Sequence, residues 1–206
     1  MTEPDGRSGP EPAGFAPDPF EQFGRWFDEA RAAGIDLYDA MALATAGRDG
    51  RPSVRMVMLR GFDRRGFVFF TNYESPKARD LAENPYAALL FYWARLGRQV
   101  RISGRVARTS REESEAYFRT RPFESQIAAL ISPQSRVIPS RRVLEAALEA
   151  KRAEFAGREV PLPAHWGGFR VEPDGFEFWE AGPNRLHNRV RYTREDESWR
   201  IELLAP

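Results

Sequence analysis

The sequence predicts a mainly β protein: one β-barrel, closed by the two halves of the chain, with helices at its periphery. Three observations predict it. Apolar residues alternate with a period of two in successive segments from about residue 40 to 109, the same pattern returns after residue 168, and residues 110–157 between them carry helical spacing. Strands on both sides of a helical insert, with no internal repeat and no obvious domain boundary, are most simply buried in a single barrel. A chain of 206 residues can bury one full core, and 42% hydrophobic with 13% aromatic residues excludes disorder for most of the length.

The elements follow in order. Residues 1–19 hold five prolines, three glycines, four acids and one arginine, too little apolar area to offset the entropy of ordering, and predict a flexible arm ahead of a single domain over 20–206. Asp18, Pro19 and Glu21 supply a cap, a first-turn proline and a capping-box acid for a helix from about Pro19 to Ala33, closed by Gly34. Strands are expected over 40–46, 53–60 and 66–72, separated by turn signals such as Asp49-Gly50, then over 86–95 and 99–109 around a tight turn near Leu96-Gly97. A short helix capped by Ser75, with Pro76 at its first position, interrupts them. In the insert, Ser110 with Glu113 caps a helix to about Thr120; Ser125 to Ile131 and Ser140 to about Gly157 are two more. Strands resume over 168–172, then 176–180 across an Asp174-Gly175 turn, then 187–192 and 199–204.

Composition narrows the chemistry. Thirty-one basic against thirty acidic residues give no bulk positive field, so nucleic acid is not an expected partner. Without cysteine there is no disulfide and no thiolate site, and His165 and His187 are too few for a histidine metal cage, so no metal is expected and the cytoplasm is the expected compartment. The longest apolar run, Ala87 to Ala94, is far short of the roughly 20 residues a membrane helix needs. Residues 1–19 lack the basic start and apolar stretch of a signal peptide. Walker, Rossmann, nucleophile-elbow and zincin motifs are also missing.

Three constellations remain. Ser75-Pro76-Lys77 opens a helix with free N–H groups and a lysine, either a phosphate site or a plain capped surface helix; Lys77 is one of only two lysines beside twenty-nine arginines. Tyr117 and Arg121, one helical turn apart, could with Ser125 hold a small phosphate, or simply decorate a helix end. Last, Arg185, His187 and Arg189 would project from one face of an extended segment, a cationic strip close in sequence to Trp179, or a solvated edge strand.

With these residues assembled, the chain resembles the pyridoxamine 5′-phosphate oxidase family. Phe176-Glu177-Phe178-Trp179 followed after five residues by Arg185-Leu186-His187-Asn188-Arg189 looks like that family's C-terminal signature. Arg98-Gln99-Val100, Arg121-Pro122, Ser125-Gln126-Ile127, Gln134-Ser135 and Trp166-Gly167-Gly168 match in order, so the resemblance runs from about residue 20 to the end. It implies a split β-barrel homodimer holding FMN at the subunit interface, which oxidises pyridoxine or pyridoxamine 5′-phosphate to pyridoxal 5′-phosphate with O2 as acceptor. By position it implies FMN contacts from Arg55, Met56, Val57, Met58, Leu59, Arg60, Phe70, Thr71, Lys77, Gln99, Gln134, Ser135, Trp179 and Arg189. Substrate contacts would come from Arg60, Tyr117, Arg121, Ser125, Arg185 and His187, the last two in catalytic roles.

Four positions depart from the family pattern. Arg60 stands where lysine is expected, Pro76 replaces a basic residue, Glu180 sits where an uncharged residue is usual, and Leu203 takes an arginine's place. The family's basic, tyrosine-containing N-terminal segment is not visible in residues 1–19. Two rivals share the FMN set: an oxidase of another reduced aromatic such as a phenazine precursor, which need not keep Tyr117, Arg121 and Ser125 together, and a non-catalytic flavin-binding barrel, which would lose Arg185 and His187.

Overall fold

The computed structural model describes residues 14–206, and its backbone is dominated by a nine-stranded antiparallel sheet. The strands are β1 (Ala40–Ala46), β2 (Pro52–Met58), β3 (Gly61–Asp63), β4 (Gly66–Asn72), β5 (Tyr86–Trp93), β6 (Arg98–Arg108), β7 (Trp166–Glu180), β8 (Asn188–Glu195) and β9 (Ser198–Leu203). Five helices join them: α1 (Pro19–Ala32), α2 (Pro76–Glu83), α3 (Arg111–Thr120), α4 (Phe123–Ile131) and α5 (Arg141–Glu154). Strand order is β2-β1-β5-β6-β7-β4-β3, with β8 added to β7 and β9 to β8.

Strand β7 makes this a split barrel. It lies along β6 from Phe169 to Glu180, but its first half pairs with β4 and its second half with β8, so two sheets diverge from one strand. At the far side the sheet curls back, where Arg60 N–H donates to Val68 O at 2.8 Å and ties the end of β2 to β4. Alternation sets which face is buried: Met41 and Leu43 of β1, Leu89, Phe91 and Trp93 of β5, and Phe176 and Phe178 of β7 all point into one core.

Helix α1 packs on that core for the reason its sequence gives. The Asp18 carboxylate accepts from Phe20 N at 2.8 Å, Pro19 fills the first position, and Phe20, Phe23, Trp26 and Ala30 recur on one face. Phe23 is fully buried, edge-on to Phe67 at 4.8 Å and Phe91 at 5.0 Å. A smaller cluster of Phe118, Ile127, Val160, Leu162 and Trp166 anchors the helical insert against the start of β7.

The structure departs from the sequence reading at several points. Of the flexible arm expected over 1–19, residues 1–13 lie outside the described residues; within the rest, Phe15 packs on Trp26 and Phe178, and buried Ala16 bonds Gln22 and the Tyr192 hydroxyl. Strand β3 has only three residues, too few to show a period. The Asp174-Gly175 pair is not a turn between two strands but a β-bulge inside the continuous β7: Gly104 faces Pro173 and Ser103 faces Gly175, so Asp174 is the extra residue. Gly104 is required there, since a Cβ would lie 2.0 Å from Glu172 O. Ser75 makes no side-chain cap to α2.

Candidate active site

A cavity of about 600 Å³ opens where β2, β4 and α2 meet the ends of α3 and α4. Arg55, Met56, Val57 and Met58 reach it from β2, Arg60 from the following bend, Phe70 and Thr71 from β4, Lys77 from α2, and Tyr117, Arg121 and Ser125 from the insert, with Gln134 beyond. Four cations line it and, among its lining residues, no carboxylate does. They fall into two pairs: the Arg55 charge acts on Lys77, and the Arg60 charge on Arg121.

Lys77 does not point outward, as a surface helix start would require; it is 8% exposed. Its ammonium donates to Gln134 Oε1 at 2.8 Å, Thr71 Oγ1 at 3.1 Å and Ser75 Oγ at 3.2 Å, which explains why Ser75 does not cap α2. Burial, with the neighbouring Arg55 guanidinium, lowers its pKa to about 8. All three acceptors are neutral, so the charge has no carboxylate partner.

Arg121 is the second such cation. The sequence reading put it one helical turn beyond Tyr117 on a shared helix face, but it lies just past α3 in an extended conformation (φ −73°, ψ 147°). Pro122 is the cause, because the residue before a proline is pushed out of the helical region. Its guanidinium stacks over Trp166 at 4.8 Å, and its Nη1 is buried with no hydrogen-bond partner. Burial, opposed by Tyr117 and reinforced by Arg60, lowers its pKa. Phe70, Tyr117 and Trp166 form an aromatic wall, with Phe70 parallel to Tyr117 at 4.1 Å and to Trp166 at 5.3 Å. Arg60, arginine in place of the expected lysine, is held by Asp39 at 3.0 Å.

The other sequence-predicted residues gather elsewhere. Gln99, Trp179 and Arg189 stand opposite one another across β6, β7 and β8, forming one row. Arg189 Nε donates to Glu177 Oε1 and its Nη1 to Ala205 O, both at 2.8 Å. The cationic strip read as extended over 185–189 is broken: Pro183–Arg185 form a 3-10 turn with Asn184 and Arg185 at positive φ (54° and 63°), and β8 starts only at Asn188. Arg185 therefore does not share a strand face with Arg189. The turn also needs Gly182, whose Cβ would lie 2.0 Å from Leu186 O. It lays the His187 ring against Trp179, with centroids 4.6 Å apart, and Gly182 N–H donates to His187 Nδ1 at 3.2 Å.

Besides Arg185, two predicted residues belong to neither group. Leu59 turns into the core at 4% exposure, and Ser135, in the left-handed region at φ 66°, does not line the cavity. Conversely, Thr120, Pro122 and Trp166 line the cavity without having been singled out as site residues. Trp166 stood in a matched motif, which was the available signal. Glu180 is directed to Arg98, whose Nε donates to it at 2.9 Å, and Arg98 also contacts Glu29 and stacks over Trp26.

A family model described as pyridoxamine 5′-phosphate oxidase matches residues 27–154, and one described as pyridoxine 5′-phosphate oxidase C-terminal dimerisation region matches residues 166–206. A pyridoxine/pyridoxamine 5′-phosphate oxidase of Burkholderia multivorans is 56% identical over 203 residues, covering 97% of this chain and 94% of the relative. One of Rubrobacter xylanophilus is 54% identical over 200 residues, covering 97% and 92%. Among solved structures, PhzG from Burkholderia lata in complex with tetrahydrophenazine-1-carboxylic acid superposes with a TM-score of 0.91 at 34% identity, covering 97% of this chain and 98% of that one. A pyridoxamine 5′-phosphate oxidase-related, FMN-binding protein of Nostoc punctiforme shares the fold, with a TM-score of 0.74 at 18% identity over 93% of this chain and all of that one.

Proposed function

Because the chain belongs to the pyridoxamine 5′-phosphate oxidase family, we propose that it is an FMN-dependent oxidase converting pyridoxine or pyridoxamine 5′-phosphate to pyridoxal 5′-phosphate with dioxygen as electron acceptor. The observation that carries this reading is the acid-free cavity with its two pairs of cations and the unpartnered Nη1 of Arg121. A buried donor left unsatisfied costs about 1–3 kcal/mol, and phosphate oxygens are acceptors that relieve it. Two cation pairs fit two phosphates, one on the cofactor and one on the substrate.

The residues present fit FMN. Lys77, Arg55, Thr71 and Gln134 offer charge and hydrogen bonds without a repelling carboxylate, and Met56, Val57 and Met58 add apolar and backbone surface beside them. When bound, FMN would provide a two-electron acceptor for oxidation at the substrate's C4′ carbon, with dioxygen as the final acceptor. The chain's own residues bind and orient. Arg121, stacked on Trp166, grips the substrate phosphate with Ser125, Tyr117 and Arg60, and the N-terminus of α4 adds its dipole. Arg185 and His187 meet the reacting end; with Nδ1 accepting from Gly182, neutral His187 carries its proton on Nε2, the atom left to exchange it.

One chain does not complete the site alone. Thr71 pairs with Gly167 near the start of β7, whereas Trp179 lies twelve residues further along the same strand, roughly 40 Å of path at 3.3 Å per residue. A two-fold partner that brings its Gln99-Trp179-Arg189 row to this cavity resolves the separation, and the match to a dimerisation region over 166–206 supports that homodimer. Among the described residues no helix is long and apolar enough to cross a membrane, and the cytoplasm is the proposed compartment.

The test is anaerobic addition of pyridoxine 5′-phosphate to the purified yellow protein. The flavin absorbance should bleach, and return when air is admitted. Bleaching by unphosphorylated pyridoxine at the same concentration would remove the phosphate-site assignment and favour oxidation of another reduced aromatic.

A further inference from the structure

Arg55 reaches the cavity from an edge strand, where a long side chain would ordinarily swing into water, yet its guanidinium is held on both branches. Nη1 donates to Thr45 Oγ1 at 2.7 Å and to Leu43 O at 3.1 Å, and Nη2 donates to Ser53 Oγ at 2.6 Å. Thr45 is itself fixed. It is 4% exposed, and its hydroxyl donates to Asp80 Oδ2 at 2.7 Å. A hydroxyl has one hydrogen, so giving it to Asp80 turns the oxygen lone pairs toward Arg55. The same Oδ2 lies 3.8 Å from Arg55 Nη2 and adds a direct charge attraction.

Asp80 is not among the residues lining the cavity. It sits on α2 three residues after Lys77, so one short helix delivers a cation into the cavity and an anion behind the opposing cation. That placement answers an electrostatic problem. Arg55 and Lys77 repel one another, and burial disfavours both charges, so before an anion binds nothing inside the cavity keeps Arg55 facing Lys77. A carboxylate behind Arg55 does so without competing for the anion.

We propose that Asp80, acting through the Thr45 hydroxyl, is a positioning residue that presets Arg55 for the anionic cofactor. The proposal rests on the reading that Arg55 binds FMN, and the experiment separates the two. Apo-protein is titrated with FMN, following the quenching of flavin fluorescence, for the wild type, Arg55→Ala, Asp80→Asn, Thr45→Val, Thr45→Ser and the Asp80→Asn/Arg55→Ala double variant. Asp80→Asn and Thr45→Val should each weaken FMN about three- to tenfold, the range of one well-placed hydrogen bond. Thr45→Ser, which keeps the hydroxyl, should bind as the wild type does.

In the Arg55→Ala background Asp80→Asn should add nothing, because the group it positions is gone. An equal loss from Asp80→Asn with and without Arg55 overturns the positioning role and leaves the cofactor role of Arg55 standing. Wild-type affinity in Arg55→Ala overturns the cofactor role and the proposal with it. If Asp80→Asn lowers the melting temperature of the apo-protein too far for titration, the Thr45→Val and Thr45→Ser pair reads the same relay from its middle: equal affinities overturn the proposal, a loss confined to valine supports it.

Discussion

Two of the cavity's four cations differ from the C-terminal row in how their charge is met, whereas Arg60 is paired with Asp39 and Arg55 lies 3.8 Å from Asp80. In the cavity, Lys77 has only neutral acceptors and Arg121 keeps a buried donor with no partner. In the row and beside it, Arg189 is bound by Glu177 and Ala205 O, Arg101 by the other oxygen of Glu177, and Arg98 by Glu180 and Glu29. The first arrangement costs free energy until an anion arrives; the second is already satisfied and costs little to keep rigid. In the proposed dimer, binding energy would be concentrated on the cavity side, and the row would serve as a fixed wall whose groups meet a ligand without rearranging.

The sharpest way to break this contrast is at Arg121. Arg121→Ala removes the cation with the least satisfied guanidinium, so KM for the phosphorylated substrate should rise roughly ten- to a hundredfold, the worth of a charge-assisted hydrogen bond, with kcat little changed and the flavin retained. Steady-state kinetics and the absorption spectrum check it. A variant purified colourless would move Arg121 from the substrate half of the cavity to the cofactor half.

Lys77 gives a smaller effect that pH can tune. With its pKa at about 8, the charged form that attracts a phosphate is mostly present at pH 7 and mostly absent at pH 9, so FMN affinity of the apo-protein should fall about tenfold between them. Apo-protein stability should move the other way. The unfolded chain keeps the Lys77 proton to about pH 10.5, so between about pH 8 and 10.5 it binds more protons than the folded form, and stability rises with pH through that window. Both trends should vanish in Lys77→Met, measured by flavin titration and by melting of the apo-protein. A pH-independent affinity in the wild type would show that Lys77 stays charged and lies apart from the phosphate.

Much of the fold was legible in the sequence, whereas the pairing of the cations was not, and what was missed has physical causes. Capping reads locally, so Asp18 and the Ser110-Glu113 pair fixed the starts of α1 and α3 from three-residue patterns. The expected bounds of β1 and β4 match to the residue: β1 alternates buried and half-buried positions, whereas β4 is buried at nearly every residue and was bounded by the turn before Gly66. The bulge at Asp174 and the left-handed pair Asn184-Arg185 imitate a turn and a strand, since their geometry comes from β6 and from the approach of Leu186 to Gly182. Most lining residues were reached through the family resemblance rather than from spacing. Asp80 and Thr45 were not visible at all: they meet across 35 residues, and neither type is unusual where it stands.

The mildest prediction tests whether the satisfied side is uniformly rigid or depends on one buried acid. Glu177 and Glu180 are both on β7 and both bind arginine, but they differ in what depends on them. Glu177 is 9% exposed and holds Arg101 and Arg189 together through its two oxygens, so Glu177→Gln removes the negative charge and leaves one acceptor oxygen for two guanidinium groups. It should weaken FMN a few-fold, about 1 kcal/mol or less, through a displaced Arg189. Glu180→Gln removes a partner from Arg98, which retains Glu29 and its stacking on Trp26, at a pair that water still reaches. Melting of the apo-protein should change by less than about 1 kcal/mol and FMN affinity should not move, since a partly exposed ion pair is worth little. If Glu180→Gln instead tightens FMN, the negative charge at this departure from the family pattern is felt by the cofactor despite Arg98, and the row is less fully neutralised than its hydrogen bonds indicate.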